Sequence, residues 1–444
     1  MSSKKSSIPS LKSLEKECDA INFPDSKQIL IVTSPFPEAT LAAAILSKGI
    51  MKSDGLFHVT TIQPVLSIDQ LNDLRSRYES SSIILIGIDI FGGKKRVKKG
   101  NNYPLFIGGE TDSDQIASLR FGTDSTLPAT AYVLTKSQTE PTMYELALAV
   151  AGSVIYEGID RPKKGANKDI IELADKEGII EKHTGFRLFG MSMHPLDETI
   201  LYSTNPYLQS ISGNQRVCDE ILSNSEIPLP KYRKPLSELT DSEAQRLSSN
   251  LIPYLDLDII PQLWGTDFIF TSERGNSPLR YASGFEIIAS TSWARHEIGS
   301  SLSVWLGDRG RSLRQLLDNH ISHHKDVIST VQRLASGVKG ESTTSATTVK
   351  LPGVKSEILF DVGRVALEIG IVDSDRPLIL DNDESYTIVW PPLKLGIKHV
   401  LHRLLGTQIH VDSLSSHSVR VIGTSETKET VLQKIIEMHG ASSK

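Results

Sequence analysis

Three short stretches carry residue types and spacings that could do chemistry. The first is TSPFPEATLAAAIL, Thr33–Leu46, directly after the apolar run Ile29–Val32. A β run, a tight loop and a small-residue helix make the place where α/β folds seat reacting groups, at the carboxyl ends of strands. This loop brings one carboxylate, Glu38, and otherwise Ser34, Pro35, Phe36 and Pro37. Asp89 in SSIILIGIDIF and either Glu110 or Asp112 in LFIGGETD add carboxylates after later strands. Three such groups could hold one ion weakly, whereas two closely spaced metals need more ligands, and no histidine stands near them in sequence. The simpler readings are a helix N-terminal carboxylate at Glu38, complementing the dipole, and a loop cap at Asp89.

The second stretch is HISHH, His320–His324, in which His320 and His324 share a helix face at i, i+4. Asp318 and Asp326 lie nearby, but nothing is spaced to complete a ligand set, so the expected role is the solvent face of a long helix. The third is GGKKRVKKG, Gly92–Gly100, which places Lys94, Lys95, Arg96, Lys98 and Lys99 close together. Such a run is a solvated loop or, as the best candidate in the chain, an anion or DNA contact.

The elements that must position these residues are legible as changes of pattern. From Ile29 to about Ile159, continuous apolar runs at Ile29–Val32, Ser82–Ile90 and Leu105–Ile107 read as buried parallel strands. Glu38–Lys48 and Met143–Glu157 read as helices among them, which predicts a doubly wound α/β domain. Between Arg161 and about Asp256 the chain turns helical, with Lys168–Glu181 and Asp241–Leu251, the latter capped by Thr240 or Asp241. Beyond Ile259 a strand is expected at Phe268–Thr271, helical spacing over Gly284–Trp305 and a long amphipathic helix at Leu313–Ala335. Ser336–Thr348 reads as a mobile loop. Short strands follow at Glu357–Phe360, Leu378–Leu380, Tyr386–Trp390 and Ser418–Ile422, with a closing helix at Lys428–His439. There is no internal repeat.

At 444 residues the chain exceeds what one core normally serves, so two domains are expected. A net charge of −5 excludes polyanion binding by bulk electrostatics and leaves it to a local patch. Cys18 and Cys218 suggest neither a disulfide framework nor a zinc knuckle. No apolar run suits a signal peptide or a bilayer span, so no membrane partner is expected and a cytoplasmic location is.

GIIEKHTGFRLFGMSMHPLDETILYSTNPYLQSISG, Gly178–Gly213, resembles the archaeal RecJ-like branch of the DHH phosphoesterase family in its FRLFG segment, Pro-Leu helix and Tyr-Ser-Thr-x-Pro-Tyr turn. GFEIIASTSWARHEIGSSLSVWLGDRG, Gly284–Gly310, is similar to the helix and Leu-Gly-Asp turn of the family's associated nucleic-acid-binding domain. With TSPFPEATLAAAIL ahead of them, the blocks stand in the family's order over most of the chain. The resemblance implies an N-terminal doubly wound parallel-sheet DHH-type domain at 1–160 and a helical bridge at 161–255. A smaller C-terminal α/β DHH-associated domain is implied at 256–444.

The family hydrolyses phosphodiesters with two metal ions held by Asp and His side chains. Its first ligand loop aligns with Ser34, Phe36 and Glu38, and Asp89 could fill the second motif. The Asp-His-His triplet falls on Gly108, Gly109 and Glu110, and a fourth Asp on Tyr156. The resemblance therefore implies a degenerate centre with no metal and no cofactor. The family's Gly-Gly-His turn corresponds to LSSHSVRVIG, where His417 stays but Ser415 and Ser416 replace the glycines. His417 and Arg420 could touch a phosphate or be ordinary loop and strand residues. Arg295 and His296 stand where the family has a basic residue after its helix. Among inactive relatives is the RecJ-like, cell-division-cycle subunit of the replicative helicase, assembled with the MCM ring and the GINS complex. The implied function is a non-catalytic replication factor that binds GINS and supports the MCM helicase, with single-stranded DNA as a further contact. The alternatives are a residual metal-dependent exonuclease on single-stranded DNA or RNA, or a regulatory partner of an active RecJ-type nuclease. Metal-dependent nucleotide release separates the enzyme from the others, and GINS pull-down separates the remaining two.

Overall fold

Ile29, Leu30, Ile31 and Val32 are all buried, so their strand has both faces covered, as a parallel strand between helices must. The computed structural model describes residues 9–21, 28–92, 95–98, 103–122, 126–157, 163–186, 188, 190–275, 277–337, 340–343, 346–373, 375–390, 396–405, 407, 409 and 411–442. Internal packing groups the chain into two units. The first comprises Met1–Glu181, Phe270–Ser272 and Glu297–Leu313; the second comprises Lys182–Ile269, Glu273–His296 and Arg314–Lys444.

In the first unit, β1 (Gln28–Thr33), β2 (Leu56–Thr61), β4 (Ser82–Ile86), β6 (Leu105–Ile107) and β7 (Arg120–Phe121) form a sheet in the order β2-β1-β4-β6-β7. Every pair in it is parallel. A separate parallel pair joins β3 (Val65–Ser67) to β5 (Asp89–Phe91). The predicted strand Ser82–Ile90 is thus two strands, parted at Gly87, whose φ of +65° turns the chain. The helix Pro37–Lys52 starts on a proline at its first position, where a missing N–H costs nothing. Its alanines 39, 42, 43 and 44 are wholly buried, and it packs against helices Leu127–Gln138, Met143–Glu157 and Ile298–Leu306. On that last helix, buried Trp305 donates from Nε1 to Thr40 Oγ1 at 3.3 Å.

The strand β8 (Ile180–Phe186) pairs with β9 (Trp264–Phe270). The predicted helix Lys168–Glu181 accordingly ends early: it spans Gly165–Lys176, and Gly178 at φ +68° releases the chain into β8. Within the second unit, Leu196, Ile200, Leu208, Ile221, Leu247 and Leu263 share one core. The helix Asp241–Leu251 matches its predicted bounds and opens on a capping box. Thr240 Oγ1 accepts from the Glu243 amide and the Glu243 carboxylate accepts from the Thr240 amide. The hydrogen bond from Lys231, then those from Thr240, hold the Glu243 carboxyl down at about 2. Thr240→Ala is expected to cost about 1 kcal/mol, read as a lower urea midpoint at an unchanged slope.

The remaining strands, β10 (Glu341–Ser342), β11 (Thr347–Lys350), β12 (Leu378–Asp381), β13 (Tyr386–Val389), β14 (Val411–Ser415) and β15 (Ser418–Val421), form a mixed sheet ordered β10-β11-β12-β13-β15-β14. The stretch predicted as a mobile loop, Ser336–Thr348, therefore contains β10 and the start of β11. Glu357–Phe360, predicted as a strand, is a 3-10 turn at Ser356–Ile358 running into the helix Leu359–Glu368. Leu359, Val362, Val365 and Ala366 bury one helical face there, a period that the short window concealed. The helix Arg311–Ala335 shares a core with this one and with Tyr207 from the middle of the chain. The region predicted as a bridge, 161–255, is accordingly divided between the units, and the part from Lys182 onward groups with the C-terminal sheet.

The histidines of HISHH are not a solvent face. His320, His323 and His324 are all buried, because they continue the core stripe Leu313, Leu316, Val327, Val331 and Leu334 of their helix. His194 stacks on His320 with ring centroids 5.1 Å apart and planes 5° from parallel. His324 Nε2 lies 3.1 Å from His320 Nδ1, Thr204 Oγ1 lies 2.6 Å from His324 Nδ1, and Thr291 Oγ1 lies 3.0 Å from His320 Nδ1. His323 Nε2 meets Asp361 Oδ2 at 2.7 Å. Burial pushes His194 down to about 4, helped by the charge of Lys325. It pushes His324 down to about 3 and His320 well below its usual value.

Candidate functional site

The first unit brings the loops after β1, β4 and β6 to the carboxyl edge of its sheet. Ser34 follows β1, donates its amide to Ile86 O at 3.0 Å and is wholly buried. Its hydroxyl has no hydrogen-bond partner among the described residues. Phe36 is the residue before the helix, with φ −59° and ψ 136°; its carbonyl accepts the amides of Ala39 and Thr40. Glu38 sits half-buried in the first helical turn, where a carboxylate favours the helix dipole.

Asp89 is buried at the start of β5. Its Oδ1 accepts the amide of Glu110 at 2.9 Å, so the carboxylate ties the loop after β6 to β5. The Glu110 side chain is exposed, and its carbonyl accepts the amide of Ile90 at 2.8 Å. Asp112 accepts the Gly92 amide at 3.1 Å. These are the contacts of loop caps.

Gly108 and Gly109 have φ of +65° and +79°. A Cβ on Gly108 would lie 2.4 Å from Leu127 Cδ2, and one on Gly109 would lie 2.3 Å from the Ile88 carbonyl oxygen. Gly109 is therefore required by its surroundings, because its Cβ would meet backbone, whereas at Gly108 the left-handed φ alone disfavours a side chain, since Leu127 Cδ2 is the tip of a flexible side chain. Tyr156 is 58% exposed on the helix Met143–Glu157. Nothing in the sequence pointed to Arg120, whose Nη1 donates to Gly109 O at 2.7 Å and fixes this turn from β7. With aromatic rings at 36 and 156 and no Cβ at 108 and 109, the residues present do not fit a two-metal centre. Among the described residues no three His, Cys, Asp or Glu side chains gather in a metal-holding arrangement.

The basic run is partly pinned. Lys94 and Lys99 lie outside the described residues. Lys95, Arg96 and Lys98 are exposed, but Val97 between them is buried in the core beside Ile68, Leu71 and Ile90. The Val97 amide donates to Gln115 Oε1 at 3.2 Å and the Lys98 amide to Asn72 Oδ1 at 2.9 Å. Arg75, its guanidinium 4.6 Å from the Tyr103 ring centroid, donates to Lys98 O at 2.5 Å. Lys95 pairs with Asp69. Alternation of an apolar anchor with outward cations thus fixes Arg96 and Lys98 at the surface.

The other basic candidates belong to the second unit. Arg420 on β15 spends its guanidinium internally: Nη2 donates to Asp412 Oδ2 at 2.6 Å and to His296 Nε2 at 2.8 Å, and Nη1 to Ser356 Oγ at 3.2 Å. Burial and then the Arg420 charge lower the His296 pKa, which keeps its ring a neutral acceptor. Arg295 faces Glu357 at 3.8 Å. His417 lies half-buried in the turn between β14 and β15, Nδ1 2.8 Å from Ser416 Oγ. The structure brings Arg295, His296 and Arg420 together with matching acids, so a phosphate there must displace carboxylates.

No family model matches this sequence, and no curated protein matches it either. In structure the chain is similar to a crystal structure of CDC45 from Entamoeba histolytica, at 12% identity and a TM-score of 0.61, over 95% of this chain and 97% of that one. RecJ in complex with Mn2+ from Thermus thermophilus matches at 11% identity and a TM-score of 0.46, over 98% of this chain and 56% of that one. An exonuclease RecJ bound to manganese matches at 10% identity and a TM-score of 0.45, over 97% and 94%. Among the described residues no helix is long and apolar enough to cross a membrane. The chain has an α/β fold with a parallel-sheet N-terminal part, a helical middle and a further sheet, and it shares that fold with CDC45 over nearly the whole of both chains.

Proposed function

We propose that this chain is a non-catalytic factor of DNA replication, which docks on the GINS complex and supports the MCM helicase. One observation carries the reading. A fold shared end to end with CDC45 is kept, while the family resemblance sets Phe36, Gly108, Gly109 and Tyr156 against the positions where the DHH family places metal ligands. A scaffold stripped of its ligands has binding left as its use, and the family resemblance nominates GINS and MCM as the partners. Direct contact with single-stranded DNA is secondary in this reading, carried by Lys95, Arg96 and Lys98 with their neighbours Lys94 and Lys99.

The two kinds of contact differ in their response to salt. Phosphate contacts release counterions and weaken steeply with ionic strength, whereas an interface resting on apolar burial does not. Gel filtration of the chain mixed with GINS, at about 50 and about 500 mM salt, is expected to show a complex at both. A DNA-shift assay over the same range should lose its signal at the upper end. The purified chain is expected to release no nucleotides from labelled single-stranded DNA or RNA with manganese. Turnover that disappears in Glu38→Ala and Asp89→Ala would establish the enzyme instead, and salt-resistant DNA binding without a GINS complex would overturn the docking role.

A further inference from the structure

A cavity of about 260 Å3 opens in the second unit between the β8–β9 pair and the helix Asp241–Leu251. Four rings line it: Phe186 and His183 from β8, Trp264 from β9, and Tyr281. The rings of Phe186 and Trp264 have centroids 5.2 Å apart and planes 53° from parallel. Those of His183 and Tyr281 meet edge-on at 5.9 Å and 83°. Neither pair is stacked face to face, so ring faces remain for a further group.

Three polar groups on the lining narrow the chemistry of that group. Tyr281 is only 6% exposed, yet its hydroxyl makes no hydrogen bond among the described residues. A buried phenol normally finds a partner, and the cavity is where this one has room for it. On the helical wall, the Gln245 side-chain amide and the Asp241 carboxylate likewise have no hydrogen bond or ion pair among the described residues. The nearby acid Glu243 is taken up by Lys231 at 2.6 Å, and the lining includes no Lys or Arg. An uncompensated carboxylate beside aromatic rings attracts a cation and repels a phosphate. A quaternary ammonium has no N–H to offer the Tyr281 hydroxyl, the Gln245 carbonyl or the Asp241 carboxylate. A guanidinium has five, is flat enough to lie on an aromatic face, and matches a carboxylate with its forked donors. The volume, just short of the about 300–1,000 Å3 of pockets that enclose drug-sized ligands, suits a group of that size.

We propose that this cavity is a binding site for a guanidinium group, held against the aromatic lining and hydrogen-bonded to Asp241 and Tyr281. A free guanidino compound and an arginine side chain of another polypeptide present the same chemistry to it. The site is separate from the carboxylate loops of the first unit and does not rest on the docking role proposed above.

The test uses the full chain with its tryptophan indoles isotope-labelled for NMR, the Trp264 resonance being assigned by its loss in Trp264→Phe. Methylguanidinium is expected to shift that resonance saturably, with a Kd of about 1–10 mM. Tetramethylammonium and cytidine should bind at least about tenfold more weakly. Asp241→Asn, which leaves the Thr240–Glu243 capping box in place, should weaken methylguanidinium about tenfold. Tyr281→Phe should weaken it about threefold or more at an unchanged urea midpoint, because the hydroxyl removed holds no other residue. An end-blocked Gly-Arg-Gly peptide separates the two sources. Binding at least as tight as methylguanidinium assigns an arginine side chain, and weaker binding or none assigns a free compound. No saturable shift with either guanidinium probe by about 50 mM, an affinity unchanged in Asp241→Asn, or equal or tighter binding of tetramethylammonium or cytidine would each overturn the proposal.

Discussion

Gly109→Ala is expected to destabilise the first unit by about 2–5 kcal/mol, the sum of a left-handed backbone penalty and an overpacking term. At φ +79° an L-residue is already strained, and its Cβ would lie 2.3 Å from the carbonyl oxygen of Ile88. That atom belongs to backbone leading into β5, so it cannot swing aside as a flexible side chain would. Movement there would also disturb the Asp89 carboxylate, which holds the Glu110 amide, and the Arg120 contact to Gly109 O. Equilibrium urea unfolding followed by circular dichroism measures the loss. Gly178→Ala is the control, since its φ is +68° but no atom stands within 4 Å of the added Cβ. It should show only the backbone penalty, about 1–2 kcal/mol. Equal losses in the two variants would show that the Ile88 contact contributes nothing. A Gly108→His, Gly109→His double variant should unfold the unit and bind no manganese.

Acidification from pH 7.5 to 5 is expected to remove several kcal/mol of stability, through the buried histidines of the second unit. His194, His320 and His324 are held neutral in the folded chain and titrate at their ordinary value once unfolded. Because the folded pKa values are the lower ones, the unfolded chain binds the extra protons. Stability is therefore complete above about pH 6.5 and falls with pH below it, by about 1.4 kcal/mol per unit for each such histidine. The fall continues until the folded values, about 4 for His194 and about 3 for His324, are approached. Burial alone would raise the Asp361 pKa; the His323 hydrogen bond and the charge of Arg364 instead pull it well below the carboxylate range, so it adds a loss of the same sign at lower pH. Urea midpoints at half-unit intervals give the slope. His194→Leu should flatten it by about one histidine's share, and a midpoint independent of pH between 7.5 and 5 would contradict the assignment.

Patterns that repeat over a whole element were legible in sequence. Ile29–Val32 and Leu105–Ile107 are strands because both faces are apolar, and Asp241–Leu251 and Met143–Glu157 keep their predicted bounds. β2 was missed because it is half exposed, Leu56 at 69%, and lacks a strong apolar run. The histidines at 320–324 are polar by type, which suggests a solvent face, but they lie in register with buried Leu316 and Val327 and are buried with them. At the candidate site, Phe36 and Tyr156 stand against the family's ligands by the resemblance alone. Why Gly109 admits no side chain depends on the Ile88 carbonyl, which only the fold brings near. Arg420 was singled out from its type, but Asp412, His296 and Ser356 bind it across 8, 124 and 64 residues of sequence.

The helix Ile298–Leu306 belongs to the first unit although the chain leaves that unit at Glu181. Its Trp305 is wholly buried against Thr40. On the ribosome, then, the alanine-rich helix Pro37–Lys52 emerges long before its last packing neighbour exists. At about 5–20 residues per second, the wait from Glu181 to Leu313 lasts roughly 7 to 26 seconds. During it, apolar surface on the nascent first unit stays open to water and to whatever chaperone reaches it. Domain order along the gene is thus no guide to order of completion here, and a fragment ending at Glu181 leaves the Trp305 site vacant.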